Sequence, residues 1–116
     1  MRSNNFDNNL PLDVGVDAEV GCWGVWITGQ GQANYDIGGS ELGLDAGLVS
    51  DINDWADELT KAFNWDDPAA TGPMRTGFLE DGVELGRRVR QQLPPAWTVW
   101  VRDPETYKRI ELPSVS

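Results

Sequence analysis

Apolar residues recur at steps of three and four from Leu48 through Ile52, Trp55 and Leu59 to Phe63. That is the helical period, and Val49, Ala56 and Ala62 widen the stripe. The pattern predicts a helix that begins at Asp45 and ends by Asn64–Trp65. Asp45 suits both the N-cap and the positive end of the helix dipole. Asp57 and Lys61 form an i,i+4 pair in the favourable order. Asp66-Asp67-Pro68 then ends the element, because a residue before proline avoids helical dihedrals. A second helical pattern runs from near Thr76 to near Leu93, with Phe78, Leu79, Leu85, Val89 and Leu93 as its apolar positions. Gly82 and Gly86 lie one turn apart on it, and each costs about 1 kcal/mol relative to Ala. Such a cost predicts a close approach by another backbone, most simply that of the first helix. Arg87, Arg88 and Arg90 fall in the last turns, where cations complement the dipole. Pro94 and Pro95 stop the helix.

The two-residue period of a strand governs both flanks. Val14, Val16, Ala18 and Val20 alternate with Gly15, Asp17 and Glu19. Val25, Trp26 and Ile27 are strong strand formers, and Gly21 and Gly24 mark a bulge or bend between the two pieces. A turn at Gly29–Gln32 precedes a returning strand over Asn34–Ile37, closed by Gly38, Gly39 and Ser40. Trp97–Arg102 reads as a strand, Asp103–Thr106 as a turn and Tyr107–Leu112 as its pairing strand. The order is hairpin, two helices, hairpin. The expected fold is α+β: a small antiparallel sheet, made of the N-terminal and C-terminal hairpins, packed against a two-helix hairpin. Residues 1–13 are Asn/Asp-rich without periodicity and read as a flexible lead-in. Residues 14–116 read as a single domain.

Charge sharpens this picture. The 116-residue chain has a formal charge of −10 and a pI near 4.2. Residues 41–70 hold eight acidic groups against Lys61 alone, whereas residues 71–116 hold seven basic and six acidic groups. The helical period places Asp51, Asp54 and Glu58 together, with Asp57 beside them, on the side opposite the apolar stripe. This field disfavours direct contact with nucleic acid or an anionic membrane and favours a basic protein partner. The same composition also serves solubility alone. Six Trp in so short a chain exceed ordinary core needs. Most are expected in the core, and the remainder as interface anchors. Periodicity does not tell whether Trp23, Trp26 and Trp100 face the core or a partner.

The familiar catalytic constellations are missing. There is no histidine and one cysteine, Cys22, so an intrachain disulfide, a Cys/His zinc site and a His-based nucleophile system are all excluded. Cys22, read as part of an apolar strand, is expected to be inert. The Gly29–Asn34 segment matches a dinucleotide fingerprint at two glycines only and is read as a turn. Paired carboxylates suit a glycosidase or a Mg²⁺ site when they face one pocket from different elements; here three sit on one helix. No cofactor, no metal and no enzymatic activity are expected. No apolar run is long enough to span a bilayer, and the first residues lack the apolar stretch of a secretory signal, which points to the cytoplasm.

Residues from about 44 to 101 resemble the small acidic immunity proteins of bacterial polymorphic toxin systems. The resemblance is carried by Leu44-Asp45 opening a helix with Leu48 and Trp55, and by Asn64-Trp65-Asp66-Asp67-Pro68. It continues through Phe78, Gly82, Leu85-Gly86-Arg87-Arg88-Val89 and Leu93 to the strand Trp97-Thr98-Val99. It implies a protein that binds a cognate toxin domain and blocks it. Combined with the charge pattern, it makes Asp51, Asp54, Asp57, Glu58, Asp66 and Asp67, with Trp65 as an anchor, the expected surface for a toxin with a basic face. The alternatives are a nucleic-acid mimic that inhibits a DNA-binding protein, as anti-restriction or phage factors do, and a carboxylate- or metal-dependent enzyme.

Overall fold

The computed structural model of the protein describes residues 6–37 and 39–114, with the backbone alone for 32–35. Residues 1–5 of the expected lead-in, and Gly38 of the expected turn, lie outside the described residues. Five strands form one sheet in the order β3-β2-β1-β4-β5: β1 Asp13–Val16, β2 Val25–Gly29, β3 Gln32–Asp36, β4 Thr98–Arg102 and β5 Arg109–Glu111. Two helices, α1 Ala46–Ala62 and α2 Phe78–Gln92, lie between β3 and β4. The architecture is the expected α+β one, a small sheet packed on a helix pair. Most pairings are antiparallel, but β1 and β4 run parallel, with Gly15 opposite Trp100 and Val16 opposite Val101. A parallel pair needs a long crossover, and the two helices lie within it.

One face of the sheet meets the helices. Val14, Val16, Val25, Ile27, Val99 and Val101 are essentially inaccessible there, against Leu48, Ile52, Trp55 and Ala56 of α1 and Phe78, Leu85 and Val89 of α2. On the other face Trp100 lies over Gly15, where no Cβ would fit. Its indole N–H donates to Asp13 (2.9 Å), and the Arg102 and Arg109 guanidinium groups sit 5.0 and 4.0 Å from its ring centroid. Trp100 is thereby buried on a sheet face that carries no helix. Trp26, half-buried on the same face, donates to the Asp17 carbonyl.

Several local expectations change. The first strand stops at Val16 because the Asp17 amide bonds the Gly24 carbonyl (3.0 Å), which closes residues 17–24 into a loop. Gly21 and Gly24 take left-handed φ values of 77° and 99° in it, so they make turns, and the sheet irregularity falls instead at Ile27–Gly29. Cys22 accordingly lies in a loop and not in a strand. β5 begins two residues later than expected, since Tyr107 adopts φ 62°. Ala62 is exposed and takes no part in the α1 stripe.

The two α2 glycines make room for side chains, not for a backbone. Gly82 accommodates the Trp55 indole of α1, while Gly86 faces the sheet and makes space for Val101 and Leu112. Asp45 caps α1 as expected, accepting from the Leu48 amide at 2.8 Å. Arg90 does more than complement a dipole. Its buried guanidinium donates to the carbonyls of Trp97, Pro94 and Leu93, holding the α2–β4 connection. Burial pushes its pKa down.

Residues 6–12 lie against the domain. Gln30 bonds the backbone of Asp7 and Leu10, the Trp97 indole N–H donates to the Asp7 carbonyl, and Leu12 is buried.

Candidate partner-binding surface

The α1 period turns Trp55 into the core and Asp51, Asp54 and Glu58 outward beside it. Packing against α2 then converts this row into one wall of a groove of about 450 Å³. Trp55 and Leu85 line its apolar part; Asp81, Glu84 and Arg88 of α2 and Arg75 of the preceding loop complete it. Trp55 is held by its indole N–H to the Phe78 carbonyl (2.9 Å) and by stacking on the Phe78 ring at 4.8 Å and 15°.

The carboxylates of this row are not equivalent. Arg75 grips Glu58 with two bonds of 3.0 Å and reaches Asp81 at 2.7 Å. These bonds, to Glu58 first and then Asp81, hold the Arg75 pKa above its ordinary value. Arg88 bonds Asp51 at 2.8 Å. Asp57 points to the other flank of α1 and pairs with Lys61 at 3.0 Å, which raises the lysine pKa. Asp54 makes no hydrogen bond or ion pair among the described residues. The groove therefore holds five carboxylates against two arginines, and Asp54 is the one on α1 whose charge is not matched by a direct partner.

Trp65, Asp66 and Asp67 stand apart, in the loop beyond the end of α1. Asn64 organises this loop: its side-chain oxygen accepts from the Asp66 and Asp67 amides at 3.1 and 3.0 Å, and its own amide bonds Thr71 at 2.9 Å. A short 3-10 turn, Pro68–Ala70, follows. Trp65 is 67 % exposed, edge-on to Phe63. The structure thus gathers Asp51, Asp54 and Glu58 at one groove, puts Asp57 on its far flank, and leaves Trp65–Asp67 on a separate loop.

Four tryptophans, Trp26, Trp55, Trp97 and Trp100, have their indole N–H groups satisfied inside the protein. Trp23 and Trp65 do not among the described residues, and they are 60 % and 67 % exposed. Trp23 was not singled out by periodicity; its place between the turn glycines Gly21 and Gly24 was the available signal. Arg75, Asp81 and Arg88 were also missed as groove residues, because contacts between α1, its following loop and α2 leave no periodic trace.

No group of three or more His, Cys, Asp or Glu among the described residues is arranged to hold a metal ion. No helix among them is long and apolar enough to cross a membrane. The Cys22 thiol is pushed up by burial and by the carboxylates of Asp36, Glu19 and Asp17, away from the reactive thiolate.

No curated protein matches the chain. A family model described as Serratia CdiI immunity protein-like matches residues 13–104, from the first residue of β1 through both helices and β4. The matched span contains the groove, the loop that carries Trp65 and all of the buried core except Leu12, and by it the chain belongs to the Serratia CdiI immunity protein-like family.

Proposed function

We propose that this protein binds and neutralises a cognate bacterial toxin domain, and that it does so through the acidic surface of α1 and the loop that follows. The family supports an immunity role. The observation that favours this surface is the pairing pattern: Arg75 and Arg88 hold Glu58, Asp81 and Asp51 in place, while Asp54 beside Trp55 is left to meet a basic group from outside. Trp65, exposed and flanked by Asp66 and Asp67, has the composition of an interface anchor with a charged rim. A toxin with a basic face would be steered in by the net charge of −10 and retained by desolvated aromatic contact. The cytoplasm is the compartment this reading assigns, and the single domain, with residues 6–12 packed on it, is the unit that binds.

Asp54→Lys is the cleanest test, since it reverses a charge without breaking an ion pair of the folded protein. Capture of a toxin from the source lysate at low and at physiological salt is the assay, with Glu58→Lys added to Asp54→Lys in a second variant. A single stoichiometric protein retained at physiological salt by the wild type, and lost by Asp54→Lys, is the expected result. Undiminished capture by both variants at unchanged melting temperature would remove the acidic face from the mechanism. A crowd of DNA-binding proteins that dissociates with salt would favour a nucleic-acid mimic.

A further inference from the structure

A second recess lies on the opposite flank of α1 from the groove, where the loop between β1 and β2 leans on the helix. The Gly21 amide bonds the Thr60 hydroxyl at 2.9 Å and the Trp23 amide bonds the Asp36 carboxylate, so both ends of the loop tip are fixed. The cleft between loop and helix encloses about 390 Å³, with Trp23 on one side and Asn53, Asp54 and Asp57 on the other.

Trp23, Asp54 and Asp57 of the lining offer the same kind of contact. Trp23 presents an aromatic ring that is 60 % exposed. Asp54 makes no hydrogen bond or ion pair among the described residues, and Asp57 is held by the exposed Lys61. The Asn53 side-chain oxygen is buried and has no donor among the described residues. A buried acceptor without a donor is a standing cost in a folded protein. The cleft therefore combines a π face and two carboxylates, all of which accept, with a buried carbonyl behind them, and no cation lines it among the described residues, although Lys61 pairs with Asp57 beside it. A planar cation with several fixed donors matches this set: it stacks on an indole and bridges carboxylates at once. An ammonium group matches the charge but not the plane.

We infer that the cleft between Trp23 and α1 is an arginine pocket, which takes a guanidinium side chain of the cognate toxin over the Trp23 ring and against Asp54 and Asp57. This inference rests on the toxin-binding reading for its partner, but its chemistry is testable without the toxin. It also gives Asp57 a role that the groove does not, and makes Asp54, which lines both recesses, the residue they share.

The test is a titration of the full chain with N-acetyl-arginine amide, followed by proton–nitrogen correlation spectra of the indole and side-chain amide groups. N-acetyl-citrulline amide, the neutral isostere, and N-acetyl-lysine amide run alongside. The Trp23 and Asn53 resonances are expected to move saturably with the arginine compound. They should stay still with the citrulline compound, respond less to the lysine compound, and lose their response in Asp54→Asn/Asp57→Asn. The Trp55 and Trp97 indole signals, both internal, report that this double variant is folded. A silent Trp23 at tens of millimolar arginine compound would overturn the assignment, as would equal responses to arginine and lysine or equal shifts at Trp65. Toxin capture separates the two ideas. A chain that takes the arginine compound but captures no toxin refutes the toxin reading alone. A chain that captures its toxin with Trp23 silent, and equally well as Trp23→Ala, refutes the pocket alone.

Discussion

Gly82→Ala tests how α1 and α2 hold each other. In an ordinary helix interior this change gains about 1 kcal/mol, because alanine loses less backbone freedom on folding. At Gly82 the added methyl collides with the six-membered part of the Trp55 indole. The ring has little room to retreat. It stacks on Phe78 at 4.8 Å and donates to the Phe78 carbonyl at 2.9 Å, and it is only 4 % exposed. Overpacking a well-filled core costs about 1–3 kcal/mol. Displacing the indole also weakens a stacking contact worth about 0.5–1.5 kcal/mol. It strains a buried hydrogen bond as well, whose loss costs about 1–3 kcal/mol. Overpacking less the helix-propensity gain leaves about 0–2 kcal/mol, and partial loss of the stacking and of the hydrogen bond brings the expected net destabilisation to about 1–4 kcal/mol. Gly47→Ala is the control. It sits in the first turn of α1, where an added methyl meets only an Asp45 carboxylate oxygen at an ordinary 3.5 Å. It should gain up to about 1 kcal/mol. Urea denaturation of both variants, with equal m-values, reads the difference directly. A Gly82→Ala protein as stable as Gly47→Ala would refute the interlock between Trp55 and α2, and with it the floor of the groove.

Two further outcomes follow from single polar groups. Arg90→Met removes the donor that serves the carbonyls of Trp97, Pro94 and Leu93; leaving them short of donors should cost about 1–3 kcal/mol by urea denaturation, and a neutral result would mean that relief from burying the charge offsets the lost bonds. Asp103 accepts from the Glu105 and Thr106 amides, which holds its carboxyl below the ordinary value. A depressed folded-state pKa contributes stability that is present above the ordinary carboxylate value and is lost as pH falls through the folded one. Asp103→Ala should therefore cost about 0.5–1.5 kcal/mol at neutral pH, and its stability curve should converge with the wild type as pH falls below the ordinary aspartate range; a gap that persists in strong acid would refute a role for the charge.

The fold class, the two helices and the cap at Asp45 were legible because each rests on local rules. A stripe at the helical period, an Asp that bonds the Leu48 amide, and prolines that end helices act within one turn of the chain. The acidic row was legible for the same reason: Asp51, Asp54 and Glu58 share a face by spacing alone. Strand order, the parallel β1–β4 pair and the partners of Gly82 and Gly86 were not, since each depends on where distant segments meet. The same holds for the surface. Only packing shows that Arg88 reaches Asp51 and Arg75 reaches Glu58, and so which carboxylates are matched within the fold. Six tryptophans look alike in a sequence, yet the tertiary structure buries the rings of Trp55, Trp97 and Trp100, half-buries that of Trp26, and satisfies all four indole N–H groups. It leaves Trp23 and Trp65 facing outward. Sequence determines what each short segment can be, because propensity and periodicity act between neighbours. Tertiary structure decides which charges and rings are free to meet a partner, because pairing and burial are settled between residues far apart in the chain.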